Sequence, residues 1–377
     1  MGNQKITICS VGDLMICDSP LYASVGVGAK YPIIGKTLFR NCKALFADAD
    51  LVIGNFETVV YDPKDKSLQE IQMCCGETVV QDLKKSGFSV LNLANNHCMQ
   101  HGVEGFQKTK DACEKYGIKP IGIKNEEPYI VQINGFELAF LSLCIHLEWY
   151  EPERILYENR IERIITELSE LHRKDPNIVL IVSAHWGDEF AAHPSNAQIA
   201  LAHKLVDCGA DVILGHHAHV YQGIEEYNGS IIVYGQGNFI SDMVPEMCRQ
   251  TGVAVIEIDR QKKIRYELYS FLIHDDFVPA AASGEWMGER QTVLEHALAG
   301  EYTDEDYWKM ITRNHSRAHK DFKAFFKRNI SKYKLSISVR MIWEFIGRKI
   351  KRILGTSSDG KISSMDPAIR DVLKKTS

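Results

Sequence analysis

The chain has 377 residues, 45% of them hydrophobic and 25% charged, with a formal net charge of −5. That make-up excludes a disordered or fibrous chain and suits one large globular domain with an appendage, or two domains. The charge is uneven: between Lys309 and Arg352 fourteen Lys and Arg face two acids, a net +12 that leaves −17 on the remainder, so the acidic body offers no groove for nucleic acid.

The first predicted element is a buried strand over 5–11, and it runs into Gly12-Asp13-Leu14-Met15. A carboxylate at the carboxyl end of a strand in an α/β sheet stands where ligands usually bind, although Gly-Asp alone more often makes a turn. A helical pattern over 37–47 leads to a strand at 51–54 and to Asn55-Phe56-Glu57. In an extended chain Asn55 and Glu57 point the same way; taken alone they are an ordinary capping or turn pair. A helix at 78–86 and a strand at 89–93 precede Ala94-Asn95-Asn96-His97. Two amides and an imidazole have no packing reason to crowd a strand end. An Asn carbonyl oxygen ligates hard cations, and His serves as ligand or general acid.

After a helix at 103–116, Asn134-Gly135 reads as a hairpin turn before a strand at 136–143. A helix over 155–174 and a strand over 178–184 follow, the strand ending in His185-Trp186-Gly187-Asp188-Glu189. Next come a helix at 195–208 and a strand at 211–214 that opens into Gly215-His216-His217-Ala218-His219. Three His in four residues at a strand end form the strongest single signal in the chain, because neither a core nor a surface role explains them well. His217 and His219 face one side of an extended segment. A second hairpin turn at Asn228-Gly229, a strand at 231–235 and Gln236-Gly237-Asn238-Phe239 come next, with strands at 252–258 and 264–273 completing the pattern. The whole reads as an α/β layered domain with mixed sheets.

Beyond about residue 280 the pattern turns helical and basic, which divides the chain into a 1–280 body and a 281–377 helical region. Met341-Ile342-Trp343, Phe345-Ile346, Ile350 and Ile353-Leu354 recur at helical spacing among basic residues. Two readings stand: an amphipathic helix packed on the body or a partner, or peripheral membrane contact through 320–354. The polar stretch from Gly355 is expected to be loosely ordered. Ten cysteines occur singly apart from Cys74-Cys75, with no C-x-x-C pair; Cys9, Cys144 and Cys208 sit in apolar runs and read as core residues. No run of 18 uncharged apolar residues reads as a spanning helix. With no leader pattern ahead of the first strand, the expectation is a cytoplasmic protein, at most peripheral to the inner membrane face.

Together the strand-end clusters offer carboxylates, amide oxygens and at least four imidazoles, without a thiolate. That mix suits two divalent ions such as Mn, Fe or Zn, and such a pair serves phosphoryl transfer without a nucleophilic Ser or Cys. The same clamp polarises carbonyls, so an amide substrate stays open.

Read in order, the clusters resemble the calcineurin-like metallophosphoesterase series, and more closely the CapA/PgsA-type family of capsule and poly-γ-glutamate synthesis proteins. The likeness rests on Asn55-Phe56-Glu57, Ala94-Asn95-Asn96-His97, His185-Trp186-Gly187, His217-Ala218-His219 and Gly237-Asn238-Phe239, and it covers about residues 5–242. It implies a metallophosphoesterase-like β-sandwich flanked by helices, with the C-terminal helices appended. It implies Asp13, Glu57, Asn96, His185, His217 and His219 as metal ligands and His97 as proton donor to the leaving group or as a group that steadies the transition-state charge, with Asp13 also counted as catalytic. Asn55, Asn95, His216 and Asn238 would brace them. Met15 stands where ordinary phosphoesterases have a His, and Gln100 where the family often has an Asp. The function implied is a metal-dependent hydrolase in capsular polysaccharide or polyglutamate biosynthesis, acting on a small-molecule or polymer-precursor substrate. The alternative is a non-catalytic assembly factor of the cell-surface polymer synthesis machinery.

Overall fold

The computed structural model describes residues 5–19, 22, 25–62, 72–146, 155–333 and 366–375, with the single positions 335, 338, 339 and 343. Its strands are β1 (Lys5–Leu14), β2 (Leu51–Asn55), β3 (Val59–Val60), β4 (Cys74–Cys75), β5 (Val90–Asn92), β6 (Lys119–Ile121), β7 (Tyr129–Ile133), β8 (Phe136–Cys144) and β9 (Val179–His185). They continue with β10 (Val212–His216), β11 (Tyr221–Tyr227), β12 (Ser230–Gln236), β13 (Asn238–Ile240), β14 (Gln250–Asp259), β15 (Ile264–Ile273) and β16 (Pro279–Ala281). The helices are α1 (Val27–Ile34), α2 (Lys43–Asp48), α3 (Thr78–Lys85), α4 (Gly102–Lys115), α5 (Ile161–Lys174), α6 (Asn196–Asp207), α7 (Glu246–Arg249), α8 (Glu285–Leu298), α9 (Asp304–Asn329) and α10 (Asp366–Lys375).

One sheet runs β16-β15-β14-β1-β2-β5-β6 with β13 also paired to β1, and the other runs β11-β12-β10-β9-β8-β7. Their parallel strands β1, β2, β5, β6 and β8, β9, β10, β12 are apolar on both faces, as buried parallel sheets require. Side-chain alternation along β1 shows why. Ile6 and Ile8 pack between the sheets with Leu138, Ile181 and Val233, while Cys9 and Val11 face an outer core of Phe39, Phe46, Phe88 and Leu83. Helices α5 and α6 cover the second sheet through Ile164, Leu168, Leu201 and Leu205. The fold is therefore an α/β sandwich of two sheets flanked by helices. Asn134 and Gly135, like Asn228 and Gly229, all hold positive φ, the backbone a type I′ hairpin needs.

Several boundaries differ from the sequence reading. The helix expected from 155 starts at Ile161, because residues 156–158 run extended: Leu156 O accepts from Lys124 N and Glu158 N donates to Gly122 O. The helix expected at 37–47 shortens to α2 after a 3-10 turn at Gly35–Thr37. Helix α1, with Pro32 inside it, gave no periodic signal. Cys9 and Cys144 are buried but Cys208 only partly, and all ten cysteines are free thiols.

The tail from Gly355 was expected to be loose, yet residues 366–375 form α10. Its Ile369 and Val372 are buried in the α5–α6 core, and Asp366 Oδ1 accepts from Ser195 Oγ at 2.6 Å, the residue that caps α6. Helix α9 starts at a capping box in which Thr303 and Asp306 satisfy each other's backbone N–H groups. Most of the 320–354 segment beyond Tyr333 lies outside the described residues. No helix among the described residues is long and apolar enough to cross a membrane.

Candidate metal centre

The carboxyl ends of β1, β2 and β5 in one sheet meet those of β9 and β10 in the other. Asp13 ends β1 between Asn55 of β2 and Asn238 of β13, its partners in register. His185 ends β9 and pairs with His216 at the end of β10. The intervening loops bring in Glu57, Asn96, His97, His217 and His219. All of these except His97 are buried; the His97 side chain keeps 22% exposure.

The amides hold the frame. Asn55 Nδ2 donates to Asp13 Oδ1 at 2.8 Å and lies 3.2 Å from His185 Nδ1. Its carbonyl oxygen accepts from Asn92 at 3.0 Å and Asn95 at 3.4 Å, so Asn55 braces the site and turns no free oxygen into it. Asn238 Oδ1 lies 2.9 Å from His219 Nδ1. Gln100 Oε1 lies 3.1 Å from His97 Nδ1, so the amide at this position gives the imidazole the oxygen partner that an Asp would. His216 Nδ1 lies 3.2 Å from Asp13 Oδ1.

At the middle is Glu57, fully buried, with neither carboxylate oxygen hydrogen-bonded. His185 Nε2 is 3.8 Å from its Oε1, and His97 Nε2 and His219 Nε2 are each 3.9 Å away. His185 Nε2 also lies 2.9 Å from Asn96 Oδ1 and 3.1 Å from His217 Nδ1. Burial and the neighbouring Asp13 push the Glu57 carboxyl well above its usual range. Asp13 behaves oppositely: burial opposes its ionisation, but His216 and His219 hold it below the ordinary value. Burial keeps His185 and His217 far below the usual imidazole range, which leaves neutral rings with a lone pair to offer. Burial works against charge on His219 too, yet Glu57 and Asp13 raise it to about 10.

This is a poor arrangement for a protein without a cation. A buried carboxylate with no donor is costly, and three imidazole nitrogens stand 3.8–3.9 Å from its Oε1 without bonding it. A divalent ion resolves both. Two ligand sets have their donor atoms within 4.8 Å of one another: Glu57, His185 and His217, and Asp13, Glu57 and His219. Glu57 belongs to both. Separations of 2.9 Å between His185 and Asn96, 3.1 Å between His185 and His217, and 3.9 Å between His219 and Glu57 suit donors that share one ion through bonds of about 2.0–2.2 Å. The residues present therefore fit a metal.

Backbone strain gathers here as well. His217 and His219 have φ of 89° and 56°, and Phe190, beside them, 62°; such conformations in non-glycine residues persist only where surroundings impose them. Phe190 N donates to Ala218 O at 2.9 Å, which ties the 187–190 loop to the peptide between the two His. Helix α9 grips that loop from outside: Tyr307 Oη donates to Asp188 Oδ2 at 2.7 Å and Asn314 Nδ2 to Phe190 O at 2.9 Å.

One residue at the site escaped the sequence reading. His146, two residues beyond β8, is buried, its ring centroid 3.5 Å from that of His217 and its Nε2 2.8 Å from Gly187 O. Burial lowers its pKa to about 4. Its signal was available, since it also follows the carboxyl end of a predicted strand.

The family described as bacterial capsule synthesis protein PGA_cap matches residues 7–243. The chain belongs to this family. It is 30% identical to the capsule biosynthesis protein CapA of Bacillus anthracis, over 68% of this chain and 67% of that protein. It is also 30% identical to the PGA biosynthesis protein CapA of Bacillus subtilis (strain 168), over 69% and 70%. Among solved structures, a 5′-nucleotidase from Candida albicans SC5314 superposes with a TM-score of 0.44 at 12% identity, over 86% of this chain and 59% of that one. The PGA_cap match takes in every ligand candidate and ends before α7, so helix α9, which grips the site loop, lies outside it.

Proposed function

We propose that this PGA_cap family member is a dinuclear-metal hydrolase of phosphoester or related bonds, acting in the production of a capsular or polyglutamate polymer. The observation that carries the reading is Glu57: a buried, donor-less carboxylate shared by two ligand sets. Asp13, Glu57 and His219 would hold one ion, and Glu57, His185 and His217 the other, with Asn96 completing the shell. Ions so held supply Lewis acidity to a phosphoryl or carbonyl oxygen and lower the pKa of water.

The chain's own groups do the rest. His97 is the one imidazole of the cluster with solvent access, and its Nδ1 contact with Gln100 orients Nε2 toward the site. It is placed to hand a proton to a leaving oxygen. Asn55 fixes the Asp13 carboxylate, and Asn238 fixes the ring of His219.

The test is metal content of the purified protein together with turnover of aryl phosphate mono- and diesters with Mn added, for wild type and His217→Ala. About two ions per chain with hydrolysis in the wild type, and about one ion without hydrolysis in the variant, is the expected outcome. Metal binding without turnover on any ester or amide would favour the assembly-factor reading instead, and absence of metal would remove both halves of the proposal.

The grip of α9 makes a second expectation. Tyr307→Phe removes the hydroxyl that holds Asp188, three residues from His185, and should weaken metal affinity about tenfold, as loss of outer hydrogen-bond partners does. Titration of the metal-free protein with Mn checks it; unchanged affinity would mean that α9 merely packs there.

A further inference from the structure

Helix α9 has two unlike faces. Tyr307, Met310, Ile311 and Ala318 are buried on one, packed against Phe190, Ala191 and Val220 beside the metal centre. On the opposite side Lys309, Arg313, Lys320, Lys323 and Lys327 are all exposed, a basic stripe along about 27 Å of helix axis. The acids of α9 do not dilute it: Asp304, Glu305 and Asp306 sit in the first turn, and Asp321 is partly buried. Among the described residues, the one salt bridge on this stripe is Lys309 with Glu305 at 2.7 Å.

Directly beyond the stripe, apolar side chains come to the surface. Ile330 is 46% exposed, Leu335 80%, Val339 47% and Trp343 69%. These are four of the seven exposed large hydrophobics among the described residues, and they lie in one short stretch. A single exposed leucine needs no explanation; a cluster with a Trp beside a basic stripe does.

We propose that this surface docks the protein on an anionic lipid bilayer. The basic stripe would meet headgroup phosphates, and Leu335, Val339 and Trp343 would enter the boundary between headgroups and acyl chains, the division of labour of an interfacial helix. An acidic polymer would satisfy the stripe but has no use for Leu335 or Trp343. A second copy of this acidic chain would likewise leave the Trp unexplained. The docking is independent of whether the metal centre turns over, and since α9 also holds the site loop, it would set that centre next to the membrane.

The full chain should be sedimented with vesicles of phosphatidylcholine alone and with an equimolar mixture of phosphatidylcholine and phosphatidylglycerol. Pelleting is expected with the mixture only, and less of it as salt rises. The combined variant Lys309→Glu, Arg313→Glu, Lys320→Glu and Lys327→Glu should partition at least about a hundredfold more weakly, since each basic side chain near such a surface is worth about a fivefold factor. Leu335→Ser with Trp343→Ser should remove the binding that survives high salt. All six positions are exposed, and an unchanged melting curve would confirm that both variants fold. Equal pelleting with neutral vesicles, none with the mixture, or wild-type behaviour of the charge variant overturns the proposal. So does loss with the charge variant alone combined with saturable binding to soluble polyglutamate, which would assign the stripe to an acidic polymer.

Discussion

Glu57→Gln is expected to abolish metal binding and lower any hydrolytic turnover by at least about a hundredfold, while leaving the metal-free protein no less stable than wild type. The floor on the loss comes from the effect of outer hydrogen-bond partners, whose removal alone costs about 10–100-fold in affinity or activity; Glu57 stands closer than that. It belongs to both ligand sets, so its removal should deprive both ions of a ligand, whereas His217→Ala touches one set only. The stability half follows from electrostatics. Burial and Asp13 disfavour the Glu57 carboxylate, so a permanently neutral amide of the same shape avoids the cost of burying or protonating it in the apoprotein. What should vanish is the stabilisation that metal confers, about 2.7 kcal/mol at a hundredfold excess over Kd. Melting curves with chelator and with Mn separate the two effects. A variant that still gains stability with Mn as wild type does would show that the ion, if any, sits elsewhere.

The contrast between Glu57 and Asn55 shows how far residue order carries the argument. Both stand in one short tract, and extended geometry puts them on one side. The sequence does not say which of them faces the site with a free oxygen. That is decided by Asn92 and Asn95, whose amides occupy the Asn55 carbonyl, and Asn92 lies inside the strand expected at 89–93, where the sequence assigned it no role. The parallel strands β1, β2, β5, β8, β9, β10 and β12 were legible because they are largely apolar runs, and the clusters at their ends because they break those runs with polar groups; the short parallel edge strand β6, Lys119–Ile121, was not read. Two-residue strands such as β3 and β4 offer no periodicity, and α1 combines Gly, Pro and a short span, so neither could be read.

The same limit applies at long range. His146 and His217 are far apart in sequence and their rings nearly touch, and the hydrogen bonds of Tyr307 and Asn314 to the 188–190 loop cross more than a hundred residues. Spacing rules reach one element, sometimes two. They therefore set the C-terminal helices apart from the body, whereas in the structure α9 reaches the outer side of the candidate metal centre and α10 packs into the α5–α6 core. The boundary expected near residue 280 rests on a change in composition, and hydrogen bonds tie both α9 and α10 to residues before it.

Gly12→Ala should disable the site as thoroughly as removing a ligand, although it changes no functional group. In the sequence Gly12-Asp13 looked like an ordinary turn pair. In the structure Gly12 lies within β1, where a Cβ would stand 2.0 Å from Gly237 O, 2.9 Å from Gly237 C and 3.2 Å from Gln236 O. All three are backbone atoms, so no side chain can swing away. Gly237 O accepts from Asp13 N at 3.0 Å, and Asp13 pairs with Asn238, which positions His219. Relief of the clash must push β1 from β13, which carries Asp13 away from the imidazoles it holds. Overpacking of a core costs about 1–3 kcal/mol and sometimes more, and a clash with backbone belongs at the upper end. Gly288→Ala is the control. Gly288 lies within α8 with open space where its Cβ would go, and the same substitution there should stabilise by up to about 1 kcal/mol through helix propensity. Urea unfolding of the two variants should shift in opposite directions, with Mn binding lost only in Gly12→Ala. Retention of Mn binding by Gly12→Ala would show that the β1–β13 contact can open without disturbing Asp13, and the site would then rest on its side-chain amides rather than on strand packing.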